Sequence, residues 1–169
     1  MASETVIELR KKSDAAWDNL NRQLDGLESH LHRSDARGEW NARQVMCHLL
    51  MEHGWKPVPV LQSFATKDLP VIEITPGQSD VSGWREHMSL GQLKEALDTQ
   101  RMEVFDYLET LSEADLKRKA RIPLFKQFLG TDEVTLATYV DVVYVGHWND
   151  HAGQLAKIRV AAKLPEVPQ

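Results

Sequence analysis

The chain has 169 residues, of which 42% are hydrophobic, and this length and apolar content predict one folded domain over residues 1–169. Its 20 basic and 25 acidic residues give a formal net charge of −5 with no long basic run, which excludes a surface that binds nucleic acid by neutralising phosphates. The single cysteine, Cys47, excludes an intramolecular disulfide and a cysteine-rich zinc finger.

The N-terminal segment, MASETVIELRKKSDAAW, lacks the charged-then-apolar pattern of a secretion signal. The longest apolar stretches, such as residues 142–145, are far shorter than the ~18 residues that suggest a membrane span. A lone cysteine also suits a reducing compartment. We therefore expect a cytoplasmic protein with no membrane partner.

The first predicted helix begins near Thr5, which forms a capping-box pattern with Glu8. Apolar residues then recur at helical spacing until small, charged and glycine residues interrupt the pattern between Ser34 and Gly38. The recurring positions are Val6, Leu9, Trp17, Leu20, Leu24, Leu27 and Leu31.

A second helix is predicted to open at Asn41, with Gln44 as its capping-box partner. It carries His48 and, one turn later, Glu52. Gly54 and the prolines that follow it kink or end this helix.

From Lys67 to Met88 the chain contains Pro, Gly and Ser without a helical period, which predicts a long connection. Connections of this length are often functional. The third helix is predicted to start at Ser89, with Gln92 as its capping partner, and to run to Leu111 with nearly heptad spacing.

Ser112 and Asp115 predict a short capped turn, and after an irregular segment the last helix is predicted over Glu133–Lys163. A strand pair involving Val71–Ile74 or Ile122–Phe128 would be small. Four long amphipathic helices predict an all-α four-helix bundle with a long connection between helices 2 and 3. Ligand sites in such bundles are commonly built from inward-facing side chains of separate helices.

The most informative pair of residues is His147 and His151, four apart on the last helix. Two imidazoles at this spacing lie on one helical face, close enough to bind one metal ion at about 2.0–2.1 Å. Both fall on an apolar stripe, where an unpaired polar group costs ~1–3 kcal/mol. The alternative is two ordinary helix residues that bond to water or other side chains. The stripe consists of Val140, Val143, Tyr144, His147, His151, Leu155, Ile158 and Ala162.

Two segments together resemble the DinB-like superfamily of four-helix metal proteins. WNARQVMCHLLMEH (residues 40–53) has a Trp at a helix start and a His near the second turn, and HWNDHAGQL (residues 147–155) has two His four apart followed by Gly-Gln. Asn41 replaces the commoner Ser or Thr, which is a conservative departure because Asn also caps helices well. The resemblance spans nearly the whole chain in length and helix order.

The resemblance implies that His48, His147 and His151 bind one divalent metal. For His48 alone, a hydrogen-bonded core residue is the alternative. Three neutral imidazoles leave one or more coordination positions for water or substrate, as in catalytic sites. Zinc in such a site can lower the pKa of bound water to about 7 or hold a thiol as thiolate, and nickel or iron also accept imidazole.

Members of this superfamily include S-transferases that use low-molecular-weight thiols, thiol-dependent isomerases and hydrolases. The resemblance therefore implies a metal-dependent transferase or hydrolase that acts on a small molecule, with a low-molecular-weight thiol as a candidate cofactor. A homodimer is expected because dimers are common among relatives. The alternative is a non-catalytic stress or interaction protein whose metal only stabilises the fold.

Five further residues are candidates for the site. Glu52 could act as a general base, with a solvated surface carboxylate as the alternative. Gln100 interrupts the apolar spacing of the third helix and could line a pocket, or it could make a hydrogen bond at the end of the bundle. Tyr144 could donate to substrate, or pack in the core with its hydroxyl satisfied. Trp84 and Arg85 lie in the long connection, where loops over a bundle often contact substrate.

Overall fold

The structure is a computed structural model that describes residues 1–169. Two short strands, β1 (Lys119–Arg121) and β2 (Glu133–Thr135), accompany the helices. The helices are α1 (Glu4–Leu24), α2 (Ala42–Leu49), α3 (Pro57–Thr66), α4 (Leu90–Leu108), α5 (Glu113–Leu116), α6 (Lys126–Leu129), α7 (Leu136–Asp141) and α8 (His147–Ala161).

The long helices form a four-helix bundle, as the sequence predicts. A π-helical turn at Val142–Gly146 joins α7 to α8, so that residues 136–161 form one continuous helix. Helix α1 packs against this last helix and against α4, α2 packs against α8 and α4, and α3 packs against α4. Buried apolar side chains from all these helices form one cluster at the centre. None of the helices combines the length and apolar content needed to cross a membrane.

The boundaries of the first helix differ from the prediction. Ser3, not Thr5, is the N-cap, and its Oγ accepts a hydrogen bond from the backbone N–H of Val6 at 3.3 Å. The helix ends at Leu24 rather than between residues 34 and 38. Gly26, with φ of +81°, ends the helical path in a conformation that glycine adopts readily. Leu27 and Leu31 remain in the core although they lie outside the helix.

The Asn41–Gln44 capping box at the start of α2 is confirmed, with both hydrogen bonds at 2.9 Å. However, α2 ends at Leu49, because Met51 takes a positive φ of 63° and turns the chain. Glu52 therefore lies in the turn after the helix, and its predicted place one helical turn beyond His48 is wrong.

Helix α3 was not predicted from the sequence. Pro57 occupies its first turn, where the missing N–H costs nothing, so the prolines begin a helix here. The connection between α3 and α4 is irregular, as expected, apart from a 3₁₀ turn at Gly83–Glu86. The capping boxes at Ser89 and Ser112 are confirmed, although α4 ends at Leu108 and not at Leu111.

The last helix starts later than predicted, because Glu133–Thr135 forms strand β2. β2 pairs antiparallel with β1, with Ala120 opposite Val134. Val71 adds a single parallel bridge to Arg121, so the sheet is small, but it is built mainly from residues outside the two segments considered for strands.

Candidate metal centre

Three histidines from two elements meet in the bundle. His48 lies in the last turn of α2, and His147 and His151 lie in the first two turns of α8. The Nε2 atom of His147 is 2.9 Å from Nε2 of His48 and 3.0 Å from Nε2 of His151. The three ligand atoms all lie within 4.8 Å of one another. The structure thus brings together the three residues that the sequence analysis named.

The outer nitrogens of two of these rings have their own partners. Nδ1 of His48 donates to the backbone carbonyl of Gln78 at 2.5 Å, and Nδ1 of His151 donates to Oε1 of Gln154 at 2.8 Å. Since these carbonyl oxygens only accept, they assign the proton of each ring to Nδ1 and leave Nε2 as a bare acceptor. Hydrogen bonds of this kind orient the histidine ligands of metal sites.

The converging nitrogens fit a divalent cation. Nε2 of His48 and Nε2 of His151 are both acceptors, and Nε2 of His147 carries at most one proton, so it can donate to only one of them. A cation instead accepts the lone pairs of all three nitrogens. Metal–nitrogen bonds of about 2.0–2.1 Å place ligand nitrogens ~3.0 Å apart at right angles and ~3.4 Å apart in a tetrahedron. The separations of 2.9 and 3.0 Å match the right-angle arrangement. The residues present therefore suit a metal ion with more coordination positions than the three histidines fill.

The environment keeps these imidazoles neutral. Burial, followed by the neighbouring rings of His151 and His48, lowers the pKa of His147 to about 3. Burial also lowers the pKa of His48 and of His151 below the ordinary histidine value. Because only a neutral imidazole can donate its lone pair to a metal, these shifts favour metal binding over protonation near neutral pH.

Trp40 forms an aromatic wall of the centre. Its ring centroid lies 4.8 Å from that of His48 and 6.3 Å from that of His151, and it is nearly parallel to the His151 ring at 19°. The sequence analysis used Trp40 only as part of the resemblance and assigned it no role in the site. Its position directly before the capping residue Asn41 was the available signal, because it places the ring at the helix start beside His48.

Gln100 and Tyr144 are both buried in the bundle, and their roles as pocket residues stay predictions. Gln100 is 8% exposed, and its Nε2 donates to the backbone carbonyl of Leu50 at 3.3 Å, which is the bundle hydrogen bond considered as its alternative. Tyr144 is 1% exposed and packs against Trp148, with ring centroids 6.2 Å apart. Its hydroxyl has no hydrogen-bond partner in the structure, unlike the satisfied hydroxyl that core packing predicts.

Of the other three candidates, two lie at the surface and the third donates hydrogen bonds to backbone carbonyls. Glu52 is exposed, and the structure gives its carboxylate no contact with the histidines. Trp84 is 63% exposed and meets the His53 ring edge-on at 5.7 Å. Arg85 is buried, and its guanidinium donates to backbone carbonyls; a substrate contact for it stays a prediction. Roles of Glu52 and Trp84 in the reaction stay predictions.

A cavity of about 670 Å³ lies beside α8 and the C-terminal residues. None of the three histidines lines it, whereas Gln154 and Asp150, both close to His151 in the chain, do. Gln154, which lines the cavity, accepts the hydrogen bond from Nδ1 of His151.

Comparisons with known proteins found one protein family and a similar solved structure. The family model of the DinB superfamily matches residues 12–155, a span that includes all three histidines. No curated protein matches the chain.

Among solved structures, the chain is similar to YfiT from Bacillus subtilis, with a TM-score of 0.72 and 17% sequence identity. The match covers 98% of this chain and 91% of YfiT. YfiT is described as a probable metal-dependent hydrolase with an unusual four-helix bundle topology. At this identity the likeness shows that the two proteins share a fold.

Proposed function

The chain belongs to the DinB superfamily, and from this premise we propose that it is a metal-dependent enzyme that holds one divalent ion on His48, His147 and His151. The observation that carries the proposal is the convergence of three Nε2 atoms, with 2.9 and 3.0 Å between neighbours. The hydrogen bonds at Nδ1 of His48 and His151 support it, because they leave the Nε2 lone pairs free for a metal.

The reaction that we propose is hydrolysis of a small molecule. A divalent ion with an open coordination position supplies Lewis acidity, which serves either hydrolysis or thiol transfer. We favour hydrolysis because the structural neighbour YfiT is described as a probable metal-dependent hydrolase. All three histidines are only partly buried, which leaves a small substrate a way to the centre.

In this reaction the residues of the chain would bind the metal ion and orient its ligands. The histidines hold the ion, the carbonyl oxygens of Gln78 and Gln154 fix two of the rings, and Trp40 covers the His48 and His151 side of the centre. Zinc, nickel and iron all accept such a set of imidazoles.

The test compares the metal-loaded protein with its His147→Ala variant on a panel of small esters, amides and electrophiles, with and without added thiols. Hydrolysis that needs no thiol and is lost in the variant would support the proposal. Turnover that requires a thiol would replace hydrolysis with thiol transfer. Metal binding without turnover of any substrate in the panel would favour the non-catalytic alternative.

A further inference from the structure

The contact that orients His48 comes from the long connection between α3 and α4. The backbone carbonyl of Gln78 accepts from Nδ1 of His48 at 2.5 Å, while the Gln78 side chain is exposed. A backbone carbonyl can orient a metal ligand only if the segment that carries it is itself fixed. The residues that fix this segment therefore bear on the geometry of the centre.

The segment is fixed to α2 and to the turn that follows it. Ser79, next to Gln78, donates from Oγ to the backbone carbonyl of Gln44 at 2.6 Å. Oδ2 of Asp80 accepts from the backbone N–H of His53 at 3.0 Å and from its Nδ1 at 2.7 Å. Oδ1 of Asp80 accepts from Ser82, through its Oγ at 2.5 Å and its backbone N–H at 3.2 Å.

The Asp80 carboxylate thus accepts four hydrogen bonds, two at each oxygen. These bonds, first from the Ser82 hydroxyl and then from His53, lower the pKa of Asp80 far below its usual range, so that it stays ionised. An asparagine offers one acceptor oxygen in place of two and could not reproduce the set.

Two buried arginines donate hydrogen bonds to backbone carbonyls of the same connection. Nη1 of Arg85 donates to the backbone carbonyls of Asp80, at 3.1 Å, and of Met51. Nη1 of Arg43, in the first turn of α2, donates to the carbonyls of Arg85 and Met88 at 2.8 and 2.7 Å. Both guanidinium groups lie among backbone acceptors, so they tie the connection to the helix that carries His48.

We propose that Asp80 is a positioning residue of the metal centre: by joining the Gln78–Ser82 segment to the turn after α2, it fixes the carbonyl that orients His48. This inference rests on the proposed metal site and adds to it a residue of the long connection between α3 and α4 that belongs to no motif of the sequence. Asp80 acts through His48 alone, and the structure gives it no contact with His147 or His151.

The test measures nickel affinity of the metal-free chain by competition with a chromophoric chelator, in four proteins: wild type, Asp80→Ala, His48→Ala and the double variant. We expect Asp80→Ala to weaken binding about tenfold, at the low end of the range for residues that orient metal ligands. In the His48→Ala background, His147 and His151 keep a weaker nickel affinity that excess nickel reveals, although this variant loses its metal during purification. Since the carbonyl of Gln78 then has no ligand to orient, we expect Asp80→Ala to change this residual affinity less than twofold.

Glu73→Gln, an exposed carboxylate change in the same connection, serves as the matched control and should bind like wild type. If Asp80→Ala does not fold, Asp80→Asn replaces it, and an affinity between wild type and one tenth of wild type is expected. An equal loss in both backgrounds, or no loss in the wild-type background, would overturn the role of Asp80 and leave the metal site standing. Absence of nickel binding by the wild-type chain would overturn the proposed function and this inference together.

Discussion

The Nε2 atoms of His48 and His147 lie 2.9 Å apart, although the two residues are separated by 99 positions in the chain. Two ring nitrogens approach this closely only with a proton or a cation between them. Because the Nδ1 atoms of His48 and His151 already carry protons, a cation between the Nε2 atoms fits this distance better.

The metal-free protein should lose stability as the pH falls. The pKa of His147 is about 3 in the folded chain, against about 6.5 in an unfolded one. Between these values the unfolded state binds more protons, so the free energy of unfolding rises with pH across this window. His147 should contribute up to ~1.4 kcal/mol per pH unit to this rise in the free energy of unfolding. Urea denaturation of the metal-free protein between pH 4 and 7 measures this slope, and His147→Ala should flatten it. A slope unchanged by that substitution would contradict the assignment.

Removal of the partner of His151 should weaken metal binding. Gln154→Leu keeps the side-chain volume but removes the oxygen that accepts from His151 Nδ1 at 2.8 Å. We expect a 10–100-fold loss of metal affinity in a chelator competition assay, as for other groups that orient metal-bound histidines. Gln154→Glu, which retains an acceptor, should lose less. The exposed Lys157 on the same helix provides the control, because Lys157→Ala should bind metal like wild type.

Substitution of Gln100 should lower the free energy of unfolding and leave metal affinity unchanged. In Gln100→Leu the backbone carbonyl of Leu50 loses the hydrogen bond from Gln100 Nε2 inside the bundle. An unsatisfied buried acceptor costs about 1–3 kcal/mol of unfolding free energy, which urea denaturation can measure. Metal affinity should stay within twofold of wild type. A change in substrate affinity without a loss of stability would support the pocket role that the sequence suggested.

Asn41 should stabilise the helix that presents His48. Asn41→Ala removes the side-chain oxygen that accepts from the backbone N–H of Gln44, and helix caps of this kind contribute about 1 kcal/mol. Asn41→Ser keeps a capping oxygen and should unfold at nearly the wild-type temperature. Thermal unfolding followed by circular dichroism compares the three proteins, and equal melting temperatures would show that the cap contributes nothing.

Most local patterns were predicted correctly because both partners lie a few residues apart in the sequence, although Ser3 and not Thr5 caps the first helix. The capping boxes at Asn41, Ser89 and Ser112 each join a residue to another three positions later, and all three are present. The pair His147 and His151 followed from helical spacing, whereas His48 was a weaker candidate on its own and was strengthened by the family resemblance. Helix α3 was missed because prolines that begin a helix and prolines that end one look alike in a single sequence.

The supporting contacts of the centre could not be predicted from residue types. His48 is oriented by a backbone carbonyl, and any residue at position 78 could provide one. Likewise, the π-helical turn Val142–Gly146 leaves no compositional trace, although it directly precedes His147. Glu52 was misplaced because the end of α2 depends on a positive φ at Met51, which its side chain does not favour.

Elemental analysis of the untagged protein measures whether His48, His147 and His151 hold one divalent ion. We predict about one equivalent of zinc, nickel or iron per chain in the wild type and loss of that metal in His48→Ala and in His147→Ala, with the control His32→Ala, an exposed histidine outside the centre, unchanged. Full metal content in either ligand variant, with a circular dichroism spectrum like that of the wild type, would show that the three histidines do not hold the ion.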